Sequence, residues 1–222
     1  MRIIECGQAT KDWFAIRRGL PTASGFDRII TPVKASASAG QAAYIDELIA
    51  QIIDQDYSLE PSNRYVSPAM QNGIDLEPAA RNWYEFEFDR PITRVGFCLS
   101  DCGRYGCSPD GLVGTEGIIE IKCPDLKTHI KYLREAKLPD EYKCQAHGEM
   151  AITGYPWLDF VSYSPTPSLD NFVIRIVPDA FTEKLKTEVI AFSERMAEAM
   201  EKLGLSYPKA ELYQIKAESD GE

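Results

Sequence analysis

The chain is poor in several things, and each shortage narrows what it can be. No apolar run in its 222 residues approaches the roughly 20 needed to cross a bilayer, so a membrane-spanning helix is not expected. The opening residues, MRIIECGQATKDW, lack an apolar stretch ahead of a small-residue cleavage site, and the expected location is therefore cytoplasmic. Histidine occurs only twice and no Cys-x-x-Cys pair is present, which argues against a zinc site. Cys98, Cys102 and Cys107 lie close together in the sequence but read as free thiols, buried or carried on strands. Basic side chains are outnumbered, 24 against 34 acidic, giving a net charge of −10. A uniformly basic nucleic-acid-binding surface is thereby excluded, whereas a local basic patch beside metal-holding carboxylates is not.

What is present is a chain that is 44% hydrophobic and long enough to bury one substantial core. No internal repeat, low-complexity tract or long linker divides it. One domain over 1–222 is expected, with a helical part at 1–90, a sheet core at 91–178, and a C-terminal helix at 179–203 followed by a tail.

Thr10 can cap a short helix through KDWFAIRRG that Gly19 ends, with Trp13 turned into the core, and TASGFDRII reads as a second helix after Pro21. Small residues in TPVKASASAGQ read as a loop. AYIDELIAQIID and SPAMQNGIDLEPAARNWYEFEF read as further helices, the second with Pro78 inside it, where a helix loses an N–H donor.

From Ile92 the period changes to that of strands: ITRVGFCLS, YGCSPDG and GIIEIKCP. Two helices, DLKTHIKYLREAK and DEYKCQAHGEMAITG, then precede the strands WLDFVSYSP and NFVIRIVP. The last helix carries Phe181, Leu185, Val189, Phe192, Met196, Met200 and Leu203 on one packing stripe. The expected class is α/β, a central mixed β-sheet flanked by helices.

Chemistry concentrates in GCSPDGLVGTEGIIEIKCP, residues 106–124. On a strand, Ile119 and Ile121 share one face and Glu120 and Lys122 the other, with the opposite face expected to be core. A tight connection through VGTEG returns Asp110 to the side of Glu120, so two carboxylates and an ammonium are expected to converge at one sheet edge. Such a pair suits a hard divalent cation, which keeps several waters and takes phosphate oxygens as ligands, while the lysine orients or deprotonates a water. Singly, Asp110 reads as a turn residue and Glu120 with Lys122 as a solvent-facing pair. Together, the spacing points to metal-dependent phosphodiester hydrolysis.

The pattern P-D-x9-E-x-K resembles the signature of the PD-(D/E)xK nucleases, whose restriction-endonuclease-like core is an α/β fold. The likeness extends to WFAIRRGLPTAS, GIDLEPAAR, CSPDGL, EIKCP and YKCQAHGEM, in that order, which together resemble the blocks of the lambda-exonuclease or YqaJ-like family of phage recombination nucleases.

That resemblance implies roles residue by residue. Asp110 and Glu120 are implied as metal ligands, with the Ile121 carbonyl completing the shell and Glu77 supporting the metal or its water. The implied cofactor is Mg²⁺, which Mn²⁺ can replace. Lys122 is implied beside the attacking water, and Gln145 as the glutamine of a Tyr-x-x-Gln motif that begins at Tyr142. Arg17, Ser24 and Ser108 are implied to bind a terminal 5′-phosphate, and Lys34, Arg18 and Tyr142 to touch DNA. Read without the family, Arg17 and Arg18 form a surface basic pair, Ser24 starts a helix and Gln145 packs; His147 leaves a metal or phosphate contact open.

The implied activity is 5′→3′ digestion of one strand of linear double-stranded DNA, leaving 3′ overhangs for phage or prophage recombination. A homotrimeric ring and a single-strand annealing protein are the implied assembly and partner. Other nucleases on the same core, an endonuclease or a CRISPR-associated exonuclease, and an inactive DNA-end-binding scaffold remain as alternatives.

Overall fold

Strand β6 (Gly117–Lys122) is the middle of a five-stranded sheet, and its neighbours explain the arrangement of everything else. The computed structural model describes residues 1–54 and 68–206; the predicted tail beyond 206 lies outside them. In chain order the elements are β1 (Arg2–Ile4), α1 (Lys11–Arg17), a 3-10 helix (Ala23–Arg28), α2 (Gln41–Ile53), α3 (Pro68–Phe88), β2 (Ile92–Thr93), β3 (Phe97–Leu99), β4 (Gly106–Cys107) and β5 (Gly111–Val113). After β6 come α4 (Leu126–Glu135), α5 (Asp140–Thr153), β7 (Trp157–Ser162), β8 (Phe172–Ile176) and α6 (Ala180–Lys202).

The large sheet runs β2-β5-β6-β7-β8, with β6 and β7 parallel and the other pairs antiparallel. Two parallel neighbours need a long connection, which α4 and α5 supply. Asp125 caps α4 by accepting from Thr128 N at 2.8 Å, and Asp179 opens α6 with a reciprocal capping box through Thr182. The expected mixed sheet flanked by helices is therefore present.

Three local readings change. ITRVGFCLS is two short strands in two different sheets: β2 joins the large one, while β3 pairs with β1 and β4 in a smaller one. The break falls before Gly96, where an added Cβ would stand 2.5 Å from the Cys6 carbonyl oxygen, so only glycine fits the crossing. YGCSPDG is likewise split: β4 belongs to the small sheet and β5 to the large, and Ser108, Pro109 and Asp110 bridge them. The segment after Pro21 winds only as far as the 3-10 helix. α3, by contrast, runs unbroken through Pro78.

Both faces of β6 are covered, not one. Ile118 packs with Leu158, Phe160 and the inner sides of α2, α5 and α6, while Ile119 and Ile121 pack with Ala80 and Tyr84 of α3. Glu120 is accordingly 1% exposed, and β6 lies inside the sheet, so the expected edge position is corrected. On α6 the stripe is buried from Phe181 to Met200, but Leu203, beyond the last turn, is 62% exposed and does not pack.

Candidate active site

The carboxylates meet where β5 begins. Asp110 immediately precedes β5, and its Oδ2 accepts a hydrogen bond from the Ile121 N–H at 2.6 Å, which holds it beside the end of β6. Glu120, one residue earlier on β6, accepts through Oε1 from Lys122 Nζ and from Gln145 Nε2, the latter at 2.6 Å. The same amide donates its second hydrogen to Glu149 Oε1 at 3.1 Å. Gln145 and Glu149 sit one turn apart on α5, so that helix presents an amide and a carboxyl to β6.

From the other side, α3 brings Glu77 and Arg81. Arg81 Nη2 donates to Glu77 Oε1 at 2.5 Å and to the Asp110 carbonyl at 3.2 Å. Pro78 thus leaves Glu77 on a continuous helix, facing its own i+4 arginine.

The electrostatics follow from this crowding. Burial pushes the Asp110 carboxyl well above its ordinary range, and the neighbouring Glu120 and Glu77 push it further, against the pull of Lys122. Glu149 is held up in the same way, first by burial and then by Glu120. Burial alone would push the Lys122 ammonium down, but Glu120 and Asp110 outweigh it and hold it above its usual value. The ring of Tyr142 lies 5.1 Å from Lys122 Nζ, a cation–π contact.

A divalent cation fits this donor set. Glu120 Oε2 is buried with no hydrogen-bond partner, and the Glu120 carboxylate adds to the burial that pushes Asp110 and Glu149 up. Asp110 and Glu120 offer hard oxygens of the kind Mg²⁺ takes. Among the described residues no three His, Cys, Asp or Glu side chains form a metal-holding group; a cation held by two carboxylates alone would take its remaining ligands from backbone, water or phosphate.

A second group lies two residues upstream of Asp110. Ser108 Oγ accepts from Trp13 Nε1 at 2.9 Å and from Arg17 Nη1 at 3.2 Å. Arg17 Nη2 reaches Thr22 Oγ1 at 3.3 Å and Ser24 Oγ at 3.4 Å, and its guanidinium stacks 4.0 Å from the Trp13 ring centre. Burial lowers Arg17 to about 10, which leaves it cationic at neutral pH. Among the described residues no carboxylate stands within ion-pair distance of it. A guanidinium surrounded by hydroxyls and without a counter-charge is a place for an oxyanion.

The structure therefore gathers Asp110, Glu120, Lys122, Glu77, Gln145 and Tyr142 in one cluster and Arg17, Ser24 and Ser108 in the next. Arg18 instead donates through Nη1 to the Gln51 and Asp54 carbonyls at the end of α2. Lys34 is exposed in the turn after the 3-10 helix and has no contact with either cluster. His147 is buried, with Nδ1 2.7 Å from Thr182 Oγ1, and joins α5 to α6 away from the carboxylates. Cys98 and Cys107 are buried strand partners and Cys102 is exposed in the turn between them; all are free.

Three participants were not foreseen. Trp13 is a half-buried hydrogen-bond donor in the arginine pocket, not a core residue, because its indole N–H needs the acceptor that Ser108 supplies. Arg81 and Glu149 fall inside the blocks GIDLEPAAR and YKCQAHGEM but have no role assigned by them, although Glu149 stands four residues after Gln145, on the same helix face.

Four findings relate this chain to known proteins. Residues 12–156 match the YqaJ-like viral recombinase domain. The crystal structure of the alkaline exonuclease LHK-Exo from Laribacter hongkongensis is 37% identical, with a TM-score of 0.77, covering 88% of this chain and 96% of that one. Its complex with dAMP aligns at 38% identity and a TM-score of 0.76, covering 87% and 96%. A phage-related exonuclease from Haemophilus somnus 129PT shares the fold at 16% identity and a TM-score of 0.60, covering 83% of this chain and 96% of that one. Among curated proteins, none matches.

Proposed function

The chain belongs to the YqaJ-like viral recombinase family, and from that premise we propose that it is a Mg²⁺-dependent exonuclease that digests one strand of linear double-stranded DNA in the 5′→3′ direction. One observation carries this reading: the oxyanion pocket around Arg17 and the carboxylate pair are joined by the single connection Ser108-Pro109-Asp110. An enzyme that removes nucleotides from a 5′ end needs a seat for the terminal phosphate at a set distance from the bond it cuts. The dAMP bound by LHK-Exo supports a deoxynucleotide as the ligand class.

Asp110 and Glu120, with the Ile121 carbonyl and with Glu77 acting through water, would hold the cation; when bound, it neutralises charge on the phosphodiester and acidifies a water. Lys122, kept protonated by its two carboxylate neighbours, orients the attacking water and steadies charge on the phosphate. Gln145 fixes the rotamer of Glu120 by donating to Oε1 and so leaves Oε2 for the cation. Arg81 ties Glu77 and the Asp110 backbone into one unit. Arg17, Ser24 and Ser108 bind the terminal 5′-phosphate, and Tyr142 and Lys34 touch the DNA. Mn²⁺ replaces Mg²⁺. We further propose one nuclease domain, a homotrimer, a cytoplasmic location and a single-strand annealing protein as partner. No helix among the described residues is long and apolar enough to cross a membrane.

Linear duplexes carrying 5′-phosphate or 5′-hydroxyl ends, incubated with Mg²⁺ or chelator and compared with closed circles, test this reading. Digestion should need the cation and a free end and should favour the phosphate. Arg17→Ala should lower activity on phosphorylated ends by roughly 10- to 100-fold, the weight of a charge-assisted hydrogen-bond pair, with little change on hydroxyl ends. Equal activity on circles would overturn it.

A further inference from the structure

A cavity of about 310 Å³ opens at the far end of the large sheet, lined by Arg90, Val113, Thr115, Glu116, Trp157 and Arg175 among others. It is separate from the carboxylates. Trp157 is the register partner of Gly117 at the start of β6, and Lys122 lies five residues further on, roughly 17 Å along the strand. Trp157 also packs against the cluster that contains Ile119 and Ile121, on the face opposite Glu120 and Lys122.

The floor of this cavity is held in place by buried groups. The Trp157 ring occupies the space over residue 117, where an added Cβ would meet it at 1.9 Å, so only glycine admits it. Arg175 stacks on the indole, 3.8 Å from the ring centre. Its Nε and Nη2 donate to Asp159 Oδ1 and Oδ2 at 2.8 and 2.7 Å, and Asp159, itself buried, accepts from the Tyr84 hydroxyl at 2.6 Å. The guanidinium is thus fixed as a flat plate, held along one edge by Asp159 and across one face by the indole. Arg90 stands 5.5 Å from the same ring, with no carboxylate within ion-pair distance among the described residues.

An oriented guanidinium plate is a surface on which a nucleobase stacks. Arg90 supplies a fork for phosphate oxygens. Thr115 and Glu116 on the rim provide acceptors that suit an exocyclic amine of adenine, cytosine or guanine. The volume sits at the small end of ligand pockets, room for one nucleotide. The Glu116 carboxylate opposes a second phosphate, which disfavours a polynucleotide.

We propose that this cavity binds a deoxynucleoside 5′-monophosphate, with the base on Arg175, the exocyclic amine toward Glu116 and the phosphate at Arg90. The identity of the ligand rests on the proposed function, since the digestion inferred above releases such monophosphates.

Calorimetry on the full chain in chelator tests this, with Arg17→Ala as background to silence the other oxyanion pocket. One dAMP per chain should still bind, and adding Arg90→Ala should weaken it by about tenfold, the loss of one charge-assisted contact. dTMP, which lacks an exocyclic amine, should bind about threefold more weakly than dAMP, a gap that Glu116→Ala closes. No dAMP binding in the Arg17→Ala protein, indifference to Arg90→Ala, or inorganic phosphate or a short oligonucleotide binding as tightly as dAMP would each overturn the proposal. Arg90→Ala alone should digest linear duplex at the wild-type rate. If the wild type digests nothing, the nuclease reading fails while the binding results still decide the cavity.

Discussion

Trp13 and Ser108 are joined by an indole N–H···Oγ hydrogen bond of 2.9 Å, and the same Oγ also accepts from Arg17 at 3.2 Å. A serine oxygen has two lone pairs, and both are taken, so its own O–H is left to donate outward. The pocket therefore offers an incoming anion a hydroxyl donor whose direction Trp13 helps to set.

Trp13→Phe keeps a ring beneath Arg17 but frees one of those lone pairs. The hydroxyl then swings, and the preference for 5′-phosphate over 5′-hydroxyl ends should fall about fivefold, the worth of one ordinary hydrogen bond. The ratio of kcat/KM on the two ends reads this directly, and an unchanged ratio would leave Trp13 a purely packing role.

The carboxylate cluster predicts a thermal signature. Millimolar Mg²⁺ should raise Tm, since a ligand at a hundred times its Kd stabilises by roughly 2.7 kcal/mol. Asp110→Asn and Glu120→Gln should abolish that shift and all digestion. In chelator, however, Asp110→Asn should melt no lower than wild type, because it removes one like charge from a crowded group, whereas Glu120→Gln should melt lower, because it strips the Lys122 ammonium of its ion-pair partner. A variant that keeps the Mg²⁺ shift is not missing a ligand.

His147 sets an acid limit that is independent of the carboxylates around Asp110. Burial lowers its pKa below the ordinary value, so the unfolded chain binds a proton that the folded chain refuses. Stability from this group is complete above about pH 6.5, the unfolded value, and is lost as pH falls through the folded value. His147→Gln, which can still bond Thr182, should flatten the Tm-against-pH curve between pH 5 and 7 on the scale of one histidine titration. Chemical denaturation across that range checks the slope.

The order of elements and the convergence of Asp110, Glu120 and Lys122 were legible in the sequence because both are local. The alternation of Gly117–Lys122, the helical stripe of α6 and the Pro-Asp spacing each depend on neighbours a few residues away. What escaped was tertiary. β1 has only three residues and gains meaning from β3, almost a hundred positions later. The breaks at Gly96 and at Ser108–Asp110 arise because two sheets claim adjacent residues. Trp13 reads as core from its helix alone, and only the fold brings Ser108 to its N–H. Glu120 reads as solvent-facing until the helices that cover its face are in place.

A ring of three chains predicts a mass of about 75 kDa by light scattering, three times the 24.9 kDa of one chain. In such a ring Arg17 and Lys34 are the basic groups available to a lumen, since Arg18 is engaged at the end of α2, while Asp46, Glu194 and Glu198 are exposed and suited to the exterior. Glu47 is tied to Arg28 at 2.8 Å. A monomer that digests long duplex without dissociating, in the presence of competitor DNA, would remove the need for enclosure.

The split of residues 106–113 between two sheets acts as a built-in ruler. Ser108 and Asp110 are separated by two peptide units, a reach of at most roughly 7 Å, and each end is clamped by a different sheet. On the proposed function, the interval between the phosphate that Ser108 and Arg17 would grip and the bond that would be broken is then a covalent constant that breathing of the domain cannot stretch. Product length would then be a property of chain connectivity, and a single residue inserted between Ser108 and Asp110 should alter the size of the fragment released, not merely the speed of its release.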